Sequence, residues 1–144
     1  MTSAPTAAYL TLTYRPDLDV LAARWLQQPT ETETQAGYDA LLAAAEQHRC
    51  HYWLIDVRRR DHANQQAAPW MMTSFLPRLP QRLPGKPVFL AYLFQPVHLR
   101  DLEADPSVPS LDYFAGQPYQ VGRFREEQAA MAWLAAAQEA EKLL

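Results

Sequence analysis

The stretch Tyr52-Trp53-Leu54-Ile55-Asp56-Val57 decides the fold. It is an apolar run of strand length, broken only near its end by Asp56 and then stopped by Arg58-Arg59-Arg60. A run without polar alternation suits a strand covered on both faces. Val88-Phe89-Leu90-Ala91-Tyr92-Leu93-Phe94 is longer and wholly apolar. The two runs read as the central pair of a sheet with helices on both sides, which is α/β architecture.

Working outward, Tyr9–Tyr14 alternates, with Leu10, Leu12 and Tyr14 on one face and Thr11 and Thr13 on the other. That period of two marks a half-buried strand. Arg15-Pro16-Asp17 then turns the chain into a second strand over Val20–Trp25, giving an N-terminal hairpin whose Trp25 is expected to be half buried. Thr30-Glu31-Thr32-Glu33 has the form of a capping box. The helix it opens runs to His48, with Tyr38, Leu41, Leu42 and Ala45 as its inward stripe.

Ala68, Met71, Met72, Phe75, Leu76 and Leu79 mark a second amphipathic helix, with Pro69 in its first turn and Pro77, Pro80 and Pro84 ending it. Eight of the 12 prolines lie from Pro77 to Pro118. Pro96–Pro118 is accordingly read as a long proline-rich loop, with a helical turn or two over His98–Asp105. Tyr119–Phe124 is a last strand. Arg125–Leu143 is the closing helix, with Ala130, Trp133, Leu134 and Ala137 inward and Glu126 and Glu127 at its positive end. The expectation is one domain over residues 1–144: a single mixed sheet of about five strands, three main helices and a flexible segment at 1–8.

Composition narrows the function classes. At 49% apolar and 20% charged residues, the 144-residue chain is a globular domain rather than a disordered one. A net charge of -3 gives no electrostatic case for nucleic acid or an anionic membrane as partner. Cys50 is the only cysteine, so an internal disulfide is excluded. With no signal-peptide pattern at Met1–Ala8 and no apolar run of membrane-spanning length, the expected compartment is the cytoplasm.

The chemistry-bearing residues are few. Arg58, Arg59 and Arg60 follow a central strand, and the crevice beyond the carboxyl ends of strands is where open α/β sheets bind ligands. With His62 and His98 they form the candidate anion site, set against the plainer reading of a solvated turn pairing with Asp56 and Asp61. His48-Arg49-Cys50-His51 looks like a metal cluster but spans a helix end and a strand start, so its side chains should diverge. The serines lack a nucleophile elbow, and four glycines cannot assemble a phosphate loop. No catalytic residue, metal or cofactor is therefore expected.

The opening hairpin, the helix after Thr30, Tyr52–Arg58 (YWLIDVR), Pro87–Phe94 (PVFLAYLF) and the ending from Phe124-Arg125-Glu126-Glu127 to Ala132-Trp133-Leu134 resemble the STAS/SpoIIAA-like domains. The likeness is to their small, stand-alone bacterial branch of unknown function. In the anti-sigma-factor antagonists of that family a phosphorylatable serine follows an aspartate after the third strand. The matching segment here, Asp56–Asn64, has no serine or threonine. The resemblance thus implies the partner-binding fold without the phospho-switch. The leading expectation is a non-catalytic interaction or regulatory module that binds another protein or its own copy as a homodimer. The alternative is a domain that binds a small anion or apolar metabolite.

Overall fold

The computed structural model describes residues 2–60, 67–106 and 110–143. Among these residues six strands form one mixed sheet in chain order: β1 (Thr2–Ala7), β2 (Leu10–Arg15), β3 (Val20–Trp25), β4 (Tyr52–Asp56), β5 (Val88–Leu93) and β6 (Tyr119–Phe124). β1, β2 and β3 pair antiparallel, and β3 to β6 pair parallel. The connections between parallel strands carry α1 (Glu31–His48), the composite helical segment α2 (67–82) and α3 (Pro96–Ala104), and α4 (Glu127–Lys142) closes the chain.

The two apolar runs are neighbours in the middle of the parallel half, and every residue of β4 is buried. Alternate residues of β4 enter opposite layers. Trp53 packs near Phe75 of α2, whereas the Tyr52 hydroxyl donates to Glu141 of α4. On the α1 side lie Leu10, Leu21, Ala23, Trp25 and Ile55, against Tyr38, Leu41 and Leu42. On the other side Trp133 meets Phe89 and Phe124. Leu54 and Ile55 are at most 1% exposed, and truncating either to alanine removes about 2–5 kcal/mol.

Helix α1 starts as its sequence prescribes. Thr30 Oγ1 accepts from the Glu33 N–H at 3.1 Å, and Glu33 Oε1 accepts from the Thr30 N–H at 2.9 Å. It ends at Arg49, whose φ of 52° is left-handed, and from there the chain turns directly into β4.

Four expectations need correcting. The segment expected to be flexible at 1–8 contributes β1, which hydrogen-bonds along β2 with an irregularity between Pro5 and Ala7. An edge strand is held by its backbone ladder and needs no apolar alternation, and proline is tolerated at edges and bulges. Trp25, expected to be half buried, is 1% exposed. It shares the inward parity of Leu21 and Ala23, and Gly37 leaves room for its ring.

The prolines at 77 and 80 do not end the second helix. They remodel it. Ala67–Trp70 is α-helical, Met71–Phe75 is a π turn closed by the Leu76 N–H on the Met71 carbonyl, Leu76–Arg78 is 3-10, and Leu79–Arg82 is again helical. Pro77 offers no N–H and its ring crowds the carbonyl four residues back, so the turn before it widens. Each proline then falls at the first positions of a new turn, where no N–H is required. Finally, 96–118 is more structured than a loop. It holds α3 and a 3-10 turn at Leu111–Phe114, which Gln120 pins by donating to the Phe114 carbonyl at 2.7 Å.

Candidate functional site

The carboxyl ends of β3, β4, β5 and β6 share one edge of the sheet, because these strands run parallel. The three candidate arginines follow β4 there and separate. Arg58 folds back on Asp56, with Nε at 3.0 Å from Oδ1 and Nη2 at 2.9 Å from Oδ2. Arg24, opposite Asp56 in the register, donates to the same carboxylate at 2.9 Å and to Glu127 of α4 at 2.9 and 3.2 Å. Burial on its own would raise the Asp56 pKa, but the hydrogen bonds from Arg58 and Arg24 outweigh it and hold the carboxyl below its ordinary range. Arg58 is therefore saturated by the protein's own acids, and this side of the edge fixes the start of α4.

Arg60 goes the other way. Its guanidinium lies over the Trp25 ring, 4.9 Å from the centroid, and no carboxylate pairs with it among the described residues. Arg59 is exposed. His62 lies outside the described residues. His98 is partly buried on α3, but Pro96, Leu99, Arg100 and Glu103 form the helical stripe that faces the neighbouring groove, and His98 falls off that stripe. The expected convergence of Arg58, Arg59 and Arg60 does not occur. Val57–Arg60 is a turn closed by the Arg60 N–H on the Val57 carbonyl at 3.1 Å, which carries Arg60 away while Asp56 captures Arg58.

The structure brings other groups to Arg60. Trp25 ends β3 and keeps its Nε1–H buried without an acceptor among the described residues. Its ring meets Tyr38 of α1, which also meets Trp70 and Phe75 of α2. The Tyr38 and Tyr92 hydroxyls lie 2.9 Å apart. Burial pushes the Tyr92 phenol well above the ordinary tyrosine range and the Tyr38 hydroxyl adds to this, whereas Arg60 and Arg123 both pull the other way. Arg60 follows β4 and Arg123 lies near the end of β6, so two strand ends bring a cation to this edge.

Arg123 also lines an open groove of about 830 Å3 between α3 and the start of α4. Arg100 and Arg125 face this groove with Glu103 and Glu126, over Pro96, Leu99, Phe124 and Ala129. Burial lowers the Arg123 pKa, and Glu103 and Tyr92 offset part of that.

The residues that looked like a metal cluster have separate occupations. His48 stacks on Tyr14 with centroids 4.1 Å apart. Cys50 Sγ lies 3.2 Å from the Tyr52 carbonyl oxygen, and both His51 ring nitrogens face backbone carbonyls, of Arg49 and Leu83. Among the described residues no three His, Cys, Asp or Glu side chains stand together as metal ligands, and no helix is long and apolar enough to cross a membrane.

Sequence reasoning missed Trp25, Tyr38, Tyr92 and Arg123 as site residues. One signal was present. Trp25, Tyr92 and Arg123 each stand at or near the carboxyl end of a parallel strand, the position that the strand order makes a binding edge. No protein-family model, curated protein or solved structure matches the chain.

Proposed function

We propose that the protein is a non-catalytic binding module that holds a small anion at the carboxyl edge of its parallel strands. The observation carrying this reading is Arg60, set over the Trp25 ring without a carboxylate among the described residues, at the strand edge whose neighbouring groove is lined by Arg100, Arg123 and Arg125 with Glu103 and Glu126. Two cations at the end of an apolar sheet give an anion more than a screened surface charge would, because desolvation strengthens each hydrogen bond. The compartment that fits is the reducing cytoplasm, since the single cysteine is buried and unpaired. The hairpin followed by strand–helix units supports a STAS-like scaffold for this module.

The test is a melting-temperature series in acetate, benzoate and inorganic phosphate, for the native protein and for Arg60→Gln and Arg123→Gln. A ligand that binds only the folded state raises the melting temperature by mass action. The reading expects a saturable rise with at least one anion, lost in both variants. No rise with any of them would remove it.

Interaction with another protein or a second copy has one observation in its favour. Among the described residues no strand pairs with the outer edge of β1. Such an edge is a template for another strand. Light scattering across a dilution series would show a dimer if β1 pairs with its own copy.

A further inference from the structure

The missing acceptor of Trp25 identifies the head group of the ligand, provided the anion reading above holds. A buried indole N–H is a donor only, and leaving it unpaired is uncommon enough to need a cause. Trp25 is held where it is by packing. Gly37 of α1 has no side chain, and a Cβ there would stand 2.3 Å from the Trp25 Cη2, so the benzene end of the indole is seated directly on the helix. The pyrrole end, with Nε1, is on the opposite edge of the ring. Arg60 covers a face of that ring without a carboxylate of its own among the described residues.

We propose that Trp25 Nε1 and Arg60 together bind the carboxylate of a small molecule with a flat, apolar body. Each group can only donate, so the occupant must be acceptor-rich. Arg60 is the cation set over the Trp25 ring, with Arg123 near the end of β6, and the single charge of a carboxylate is met there without being left buried and unpaired. The hydroxyl pair of Tyr38 and Tyr92 supplies a further donor, because only one of its two protons is used between them. The body of the ligand is assigned from the wall that continues past Tyr38: Trp70 lies partly buried, with its ring centroid 6.0 Å from that of Tyr38 and 5.8 Å from that of Phe75. Offset and tilted rings at such spacings favour another flat apolar ring. The π turn at Met71–Phe75 shapes this wall, and π turns recur where helices are adapted to a site.

The experiment uses the full chain labelled with nitrogen-15 at tryptophan and follows the indole N–H signals during titration with benzoate, acetate and inorganic phosphate. Trp25→Phe assigns the Trp25 signal by its disappearance and keeps an aromatic ring in the core. Arg60→Gln removes the charge and the guanidinium over the Trp25 ring, at an incompletely buried position. The proposal expects benzoate to move the Trp25 signal saturably, more tightly than acetate or phosphate. It also expects Arg60→Gln and Trp25→Phe each to weaken benzoate by about tenfold or more, the loss of one hydrogen bond to a charged group. For Trp25→Phe the binding is read from the remaining indole signals and from the melting temperature. If benzoate stabilises the protein but leaves the Trp25 signal unmoved, the anion reading stands and this assignment falls. Tighter binding of phosphate than benzoate would likewise overturn the carboxylate. If no anion binds at all, both readings fall together.

Discussion

Arg24 and Asp56 stand opposite each other on neighbouring parallel strands, and the Arg24 Nη1 lies 2.9 Å from the Asp56 Oδ2. Asp56 accepts from Arg58 as well, and Arg24 reaches on to Glu127, so one buried carboxylate ties β3, β4 and the first turn of α4 together. Asp56→Asn keeps the shape but removes the charge. Because Arg24 and Arg58 are each at least a third exposed, solvent screens part of the loss, and the expected cost is about 1–3 kcal/mol. Urea melts of the two proteins at neutral pH would measure it.

The same carboxylate sets a pH dependence. Its folded-state pKa lies below the unfolded value, so its contribution is present above the ordinary aspartate pKa. That contribution is lost as pH falls through the lower folded value. Native stability should therefore decline from about pH 5 downward, and the Asp56→Asn protein should decline less steeply. Glu46 and Glu141 are also held low, by Arg82 and by Tyr52 respectively, so some slope should persist in the variant. Parallel slopes for the two proteins would show that Asp56 has no part in it.

Gly37→Ala should destabilise the protein although alanine is the better helix former by about 1 kcal/mol. The added methyl would meet Trp25 Cη2 at 2.3 Å and Cζ3 at 2.9 Å, and a fully buried indole cannot swing aside. Overpacking of this kind costs about 1–3 kcal/mol, and a lowered urea midpoint would register the net loss.

Thr30→Ala removes one half of the capping box and should cost about 0.5–2 kcal/mol. An unchanged midpoint in denaturant would mean that Glu33 alone caps α1.

Cys50 should resist thiol reagents while the protein is folded. Burial pushes its thiol up to about 12, hydrogen bonds to the Tyr52 and Leu21 backbone offset part of the rise, and the thiolate is the reactive form. Ellman's reagent should label it only as urea unfolds the chain. Rapid labelling without denaturant would place the thiol at an accessible surface instead.

What was legible in the sequence followed from burial. Continuous apolar runs marked β4 and β5, and the stripe Tyr38, Leu41, Leu42 and Ala45 marked α1, because patterning is how burial is written. β1 was illegible, since Thr2–Ala7 (TSAPTA) has no apolar alternation and its pairing is a backbone ladder with β2. The site was half legible. Arg60 was named for its place after a central strand, but the cluster that keeps Arg58 from it is joined by Arg24, which reaches Asp56 across 32 positions of the chain and Glu127 across 103. Trp25 could have been read more firmly from its parity with Leu21 and Ala23.

The central claim, an anion held at Arg60 and Arg123, is tested most directly by calorimetric titration of benzoate into the native protein at low and at high salt. The account predicts one benzoate per chain, with binding that persists at about 1 M salt, where charges farther apart than about 3 Å are screened. Arg60→Gln and Arg123→Gln should each weaken it. Heat that never saturates, or that vanishes at high salt and is the same in both variants, would contradict a built site.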